Sequence, residues 1–455
     1  MPKNIVVCCD GTGNEFGDSN SNVVKLYTCM KVDKEQVAYY HPGVGTMGNP
    51  NKTGVGKKMS LIYGMAFGAG FMDNLADAYR FLMAQYNDGD GPMDADRIYL
   101  FGFSRGAYTV RALAGAISMF GLLCPGNEGH LPYLLQMYST ESKAAYGRDN
   151  RHGRRLQETA ESMAFRETFS RQVPIHFVGV WDTVSSVGWI YDPVKLLFDG
   201  QNPVMRKGRH AVSVDERRCF FQDNLWGQPL TPAETPVLAQ CYADAADRQQ
   251  DIVQAWFAGV HSDVGGSYSQ SESAPAMDAL RWMLDEAVAD GLIQNDEKRT
   301  VIFGETDAAL PGLSDLNKPA LPGVCLHESL NWKWKPLEWF PHTYFDDKGD
   351  PQLQWSPWPH RREIPNDALI HPSLWKRLTT DANYQPPNLN QHDTVPYEAS
   401  GTPLLHPEVR AKVQAEGFRV YRPGQVAKSN AVAQMSRAAA VLFGLGLTLL
   451  MRRKG

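Results

Sequence analysis

Four short runs of this chain are almost continuously apolar, and each leads into a residue able to do chemistry. Asn4-Ile5-Val6-Val7-Cys8-Cys9 ends at Asp10, and Arg97-Ile98-Tyr99-Leu100-Phe101 runs toward Ser104. Ile175 to Trp181 ends at Asp182, and Val253 to Val260 ends at His261. Runs without polar alternation read as strands buried on both faces, the pattern of a parallel sheet. A further strand is expected at Gln36 to Tyr40, followed by the Gly-rich loop His41-Pro42-Gly43-Val44-Gly45-Thr46. Helical spacing appears in between. Phe71, Leu75, Ala78, Tyr79, Leu82 and Met83 share one helix face, and Ala107, Val110, Leu113, Ala114 and Ile117 another. Buried strands alternating with helices predict an α/β fold, a mostly parallel sheet with helices on both faces.

The second run continues into Gly102-Phe103-Ser104-Arg105-Gly106, which fits G-x-S-x-G. That spelling is common by chance, so its context decides. A strand enters and a helix leaves, as a nucleophile elbow requires. The glycines let strand and helix approach, and the turn aims backbone N–H groups at whatever the serine attacks. A tight structural turn is the plainer alternative. Ser104, Asp182 and His261 all stand at strand ends, where open α/β sheets build their sites. Their chain order, Ser, Asp, His, is that of a serine nucleophile, an orienting acid and a base. Asp182 could instead cap a turn, and Asp263 is a rival acid two residues beyond His261. His41 and His210 are expected in structural roles. An oxyanion would need two donors. The backbone N–H of Arg105 is one candidate, and Gly11 or Thr12, in Asp10-Gly11-Thr12-Gly13-Asn14, supplies the other.

With 455 residues the chain exceeds one ordinary core. Residues 1–270 read as the catalytic core, with a polar, helical insertion at about 125–171. Residues 271–430 form a loop-rich lobe in which a helix at Ala276 to Ala289 is clear and six of the eleven tryptophans fall between Trp332 and Trp375. The net charge of −5 and the lack of a long basic stripe argue against nucleic acid as a partner. Seven scattered cysteines, never spaced C-x-x-C, argue against a disulfide framework or zinc ribbon. No H-E-x-x-H, carboxylate ladder, P-loop or dinucleotide fingerprint is present, so no metal or cofactor is expected. The apolar start is too short for a signal peptide, so synthesis in the cytoplasm is expected, with export by a route needing no cleavable signal left open.

The last segment, 431–455, differs. Ala438 to Met451 is uncharged and precedes Arg452-Arg453-Lys454. As a helix this run spans ~21 Å against the ~30 Å of a bilayer core. Two readings stand side by side: a terminal helix docked on the protein, and a short membrane tail with a basic stop.

Six motifs in order carry a resemblance: DGTGN at 10–14, PGVGT at 42–46, GFSRGAY at 102–108, GVWDTV at 179–184, DERR at 215–218 and GVHSDVGG at 259–266. Over roughly residues 3 to 270 the chain resembles the α/β-hydrolase domain family that includes the type VI secretion lipase effectors of family one. The resemblance implies an α/β-hydrolase-like sheet and an esterase or phospholipase that cleaves acyl chains from glycerophospholipids. It implies Ser104 as nucleophile, His261 as base, Asp182 as acid and the Asp10 loop as oxyanion loop. The C-terminal tail leaves room for a membrane surface as a partner, and an immunity or secretion partner is left open. Two alternatives remain: a cytoplasmic small-ester hydrolase, and a non-catalytic scaffold recruited to membranes by its tail.

Overall fold

The computed structural model describes residues 2–11, 17, 19–43, 67–91, 94–146, 159–184, 188–189, 192–193, 195–244, 246–306, 308, 326–332, 334–335, 338, 342–345, 351–354, 361–397, 405 and 407–423. The expected tail at 431–455, Thr12 and the middle of the 125–171 insertion lie outside them.

The apolar runs become the strands of one sheet. They are β1 (Asn4–Cys9), β2 (Gln36–His41), β3 (Arg97–Phe103), β4 (Ile175–Trp181), β5 (Met205–Ser213) and β6 (Asp251–Phe257). Three short strands from the Trp-rich lobe continue it: β7 (Leu369–Ile370), β8 (Thr394–Pro396) and β9 (Arg419–Tyr421). The order across this nine-stranded sheet is β8-β9-β7-β6-β5-β4-β3-β1-β2. Strands β1 to β7 pair in parallel, and only β9 runs antiparallel to its two neighbours. The chain moves outward from β1 to β2, then returns to place β3 on the other side of β1. The crevice at the carboxyl ends of β1 and β3 is therefore a topological switch point, where such sheets form sites.

Both faces are covered. The sheet buries Ile5, Val7, Ile98 and Leu100 on one face. There they meet side chains of α2 (Phe67–Gln85), α3 (Arg105–Phe120) and α4 (Leu131–Tyr146). The alternate residues Val6, Cys8, Tyr99, Phe101, Phe177 and Trp181 meet α1 (Asn22–Cys29) and, further along the chain, Ala274–Ala289 on the other face. Period-two alternation inside a wholly apolar run thus fills two cores at once. The segment expected as an insertion at about 125–171 is flanked by a two-residue antiparallel ladder, Leu122–Leu123 with Ser170–Arg171. It buries Leu131, Leu134 and Tyr138 of α4, and Phe165 of α5 (Ala160–Phe169), in the first core.

Central strand β5 carries Arg206, Lys207, Arg209 and His210, which hide it in the sequence. Each cation is answered. Arg209 donates through Nε to Glu286 at 2.6 Å and through Nη2 to Asp251 at 2.7 Å. Lys207 reaches Asp290 at 2.8 Å and Arg206 reaches Asp247 at 2.5 Å.

The contact that places α3 is steric. A Cβ on Gly106 would sit 2.1 Å from the Cys9 carbonyl oxygen, so only glycine lets α3 start against the end of β1. Gly106→Ala is expected to cost ~1–3 kcal/mol by forcing backbone apart. It should also lower activity ~100-fold by shifting the neighbouring serine. A urea melt and an ester-turnover assay check both, and unchanged activity would contradict the placement.

Candidate active site

Ser104 lies between β3 and α3 with φ 58° and ψ −123°, a backbone region that L side chains avoid. Two things hold it there. Its N–H donates to the Trp181 carbonyl at 3.1 Å, and its carbonyl accepts the Tyr108 N–H at 3.3 Å as α3 begins. Gly102 supplies the room, since a Cβ there would lie 2.5 Å from the Gly106 carbonyl oxygen. Strain of this kind persists only where surrounding structure fixes it, and it collects at functional sites.

The register of β3 with β4 sets Phe103 beside Trp181, so Ser104 and Asp182 are the next residues on adjacent strands. Asp182 also has positive φ, 40°. Its carboxylate is enclosed by donors. Oδ1 accepts the Ser213 N–H at 2.8 Å from the end of β5, and Oδ2 faces His261 Nδ1 at 2.5 Å. Arg362 clamps both oxygens, with Nη1 on Oδ1 and Nη2 on Oδ2. Burial alone would push this carboxyl up. Arg362 and the His261 N–H outweigh burial and hold it well below the usual carboxylate range.

His261 starts α6 (His261–Gly265), just past β6. Its ring packs against Phe103 and Phe221, with centroids 4.6 and 4.9 Å away. Because Asp182 is ionised and can only accept, Nδ1 carries the proton. Nε2 is then a lone-pair nitrogen, buried and without a hydrogen-bond partner among the described residues. Burial lowers the imidazole pKa, and Asp182 only partly offsets this. The backbone N–H of His261 donates to Glu216 Oε2 at 3.2 Å. Glu216 also takes the Arg218 backbone N–H, its Nε and its Nη2, each at 2.9 Å. Burial opposes the Glu216 charge, but Arg218 holds the carboxyl down at about 2.

The structure brings Asp182 to the ring of His261 and turns the other acid away. Asp263 caps α6 through the Val260 N–H at 3.1 Å and holds His327 Nδ1 at 2.6 Å. His210 is buried under the turn after Asp182. Its Nε2 accepts the Thr183 N–H at 3.2 Å, and burial presses its pKa down to about 3. His41 Nδ1 lies 2.5 Å from the Pro42 carbonyl. Of the three residues expected at the oxyanion position, Arg105 is the first residue of α3, directly after Ser104. Gly11 stands at the end of β1, where its N–H donates to its neighbour Asp10 Oδ1 at 2.6 Å. Asp10 in turn is fixed by the Ser21 hydroxyl at 2.6 Å and the Tyr40 hydroxyl at 2.8 Å. Thr12 falls outside the described residues. Among the described residues, no three His, Cys, Asp or Glu side chains are grouped to hold a metal ion.

Two residues escaped the sequence reading. Glu216 sits in the DERR motif, which carried a resemblance but no assigned role. Arg362 lies in the aperiodic lobe, where no spacing singles it out.

Comparison with known proteins places the chain in a family. Residues 3–286 match the family model described as T6SS, phospholipase effector Tle1-like, catalytic domain. The uncharacterized protein YEL023C of Saccharomyces cerevisiae is 35% identical over 230 residues, 48% of this chain and 32% of that protein. The chain therefore spans about a third of that relative's length. Among solved structures, an uncharacterized protein from Pseudomonas aeruginosa is 18% identical over 70% of this chain and 49% of that one, with a TM-score of 0.36. The Tle1 effector bound to the VgrG spike of the type 6 secretion system is 17% identical over 60% and 53% of the two chains, with a TM-score of 0.32. With the family model spanning 284 of 455 residues, the chain belongs to the family of type VI secretion phospholipase effectors with a Tle1-like catalytic domain.

Proposed function

We propose that this protein is a serine phospholipase that hydrolyses acyl esters of glycerophospholipids through Ser104, His261 and Asp182. The observation that carries this reading is the buried His261. Its Nδ1 is tied to an ionised Asp182, its Nε2 has no partner among the described residues, and its ring packs on Phe103, the residue before the strained Ser104 elbow. His261 Nε2 takes the Ser104 hydroxyl proton as Oγ bonds to the ester carbonyl carbon. The tetrahedral oxyanion collapses to an acyl-enzyme, and the leaving lysophospholipid oxygen takes the proton back from His261. A water repeats the sequence and releases the fatty acid. Arg105 N–H is the first oxyanion donor in this reading, and the Asp10 loop supplies the second through Gly11 or Thr12. Gly11 can serve only once its N–H leaves Asp10 Oδ1. The phospholipid substrate and a type VI export route rest on the family, whose model is described as a type VI secretion phospholipase effector catalytic domain.

The test is hydrolysis of phospholipid vesicles by the purified protein alongside fluorophosphonate labelling. Turnover with labelling supports the reading. Labelling without lipid turnover redirects it to small esters, and neither signal in folded protein sinks it. The apolar segment 431–455 is proposed as a membrane tail. Among the described residues no helix is long and apolar enough to cross a membrane. Carbonate-washed membranes that retain the full chain, but not the chain lacking 431–455, would support the tail.

The pH dependence follows from His261. The base works only as neutral imidazole, so activity falls as pH drops through its pKa. Burial places that pKa below the ordinary value. The acid limb of kcat/KM is therefore expected below pH ~6.5, the value of an unperturbed histidine. A limb at or above that pH would contradict the buried geometry.

A further inference from the structure

Arg362 enters the site from beyond the segment 3–286 that matches the family. It is 2% exposed, and both terminal nitrogens of its guanidinium bond within the site, while Nε has no hydrogen-bond partner among the described residues. Nη1 donates to Asp182 Oδ1, to the Ser213 carbonyl at 3.0 Å and to the Ser213 hydroxyl at 2.8 Å. Nη2 donates to Asp182 Oδ2 at 3.0 Å and to the Phe221 carbonyl at 2.7 Å. Asn388 holds the Arg362 carbonyl at 3.1 Å, fixing the segment that delivers the side chain.

We infer that Arg362 is a positioning residue for the acid Asp182, so that the active site is completed by the C-terminal lobe and not by the family's catalytic segment alone. The inference rests on the serine hydrolase reading above. Its first ground is geometric. A planar guanidinium bonded to both carboxylate oxygens fixes the plane of that carboxylate. Oδ2 then meets His261 Nδ1 in one orientation. The carbonyls of Ser213 and Phe221, at the ends of the fork, fix the guanidinium in turn.

The second ground is charge. A carboxylate already paired with a cation stabilises an imidazolium less than a bare one does. Among the described residues, the charged and titratable groups around His261 are these. Asp182 faces its ring, with Arg362 behind that acid. Glu216 takes its backbone N–H, and Arg218 lies over Phe221 at 3.5 Å. Buried His210 supports the Asp182 turn, and Asp263 is turned to His327. Removing the Arg362 charge therefore leaves Asp182 to act on His261 with less opposition. The acid limb must move to higher pH. A residue that merely held the lobe in place would slow the enzyme without moving that limb.

The experiment uses the whole 455-residue chain and reads the rate of fluorophosphonate labelling of Ser104 against pH. Arg362→Met is expected to slow labelling ~10-fold or more through the loosened acid, and to raise the acid limb by about one pH unit. Arg362→Lys, which keeps the charge but loses the fork, should hold the limb in place and recover part of the rate. In an Asp182→Asn background, Arg362→Met should add less than ~2-fold, because the two residues act through one carboxylate. An unmoved limb in Arg362→Met, or an undiminished penalty in the Asp182→Asn background, overturns the assignment. If Arg362→Met does not fold, the neutral Arg362→Gln takes its place on the same two readings: slower labelling with a raised limb supports the role, and an unmoved limb overturns it. A folded wild type that takes no label overturns the nucleophile itself, a failure visible before any variant is made.

Discussion

Ser104→Ala is expected to abolish fluorophosphonate labelling and to lower ester turnover ~10⁴-fold or more, while leaving the fold at least as stable as before. The loss follows from chemistry. No acyl-enzyme forms without Oγ, and the base His261 has nothing to deprotonate except water. The stability follows from the backbone. Ser104 is held at φ 58° and ψ −123°, and its side chain makes no capping hydrogen bond to α3. Removing the hydroxyl therefore breaks no structural bond of the cap. Ser104→Gly goes further, because glycine adopts this conformation without a Cβ penalty, and it should gain ~1 kcal/mol. Labelling, turnover and urea midpoints on the three proteins make the comparison. Retained labelling in Ser104→Ala would put the nucleophile elsewhere. Equal destabilisation of both variants would mean the elbow is not strained.

Those strand ends were readable for a physical reason. A strand buried on both faces cannot hide its composition, so β1, β3, β4 and β6 stand out, and the residues just past them fall at one edge of the sheet. Strand β5 was not readable, because its interior carries Arg206, Lys207, Arg209 and His210. Those charges are tolerated only through partners distant in sequence, Asp251, Glu286 and Asp290. Helix α1 was missed as well, since its buried face includes Asn22 and Lys25. Strands β7, β8 and β9 are two or three residues long, too short to show a period.

The choice between Asp182 and Asp263 shows the same limit at the site. Asp263 stands two residues past His261 and Asp182 stands 79 positions before it at another strand end, and spacing cannot rank them. The fold does, because Asp263 lies on the same turn as His261 and is consumed by the cap and by His327. Asp182 arrives from a neighbouring strand end and can face the ring. Arg362 is bonded to a residue 180 positions away, a separation no local pattern encodes.

Asp182→Asn is expected to lose catalysis and stability together, where Ser104→Ala loses catalysis alone. Turnover should fall ~10⁴-fold, because an amide beside Nδ1 favours the wrong tautomer and cannot balance an imidazolium. The fold should suffer as well, which Ser104→Ala does not predict. Asp182 is buried, and its partner Arg362 is 2% exposed. Neutralising the acid strands a guanidinium in the interior, a change that costs about 3–5 kcal/mol when one member of a buried pair is removed. Pairing it with Arg362→Met removes the stranded charge and should return much of that stability without returning activity. The same coupling operates with pH in the wild type. The folded-state pKa of Asp182 is depressed, so the pair's stabilisation is present above the unfolded value of ~3.9 and is lost as pH falls below it. Urea midpoints at neutral pH and at pH ~3, on wild type, Asp182→Asn and the double variant, test all of this. A single variant as stable as wild type at neutral pH would show that the Arg362 charge finds other partners, and that the clamp on Asp182 does not hold the lobe to the sheet.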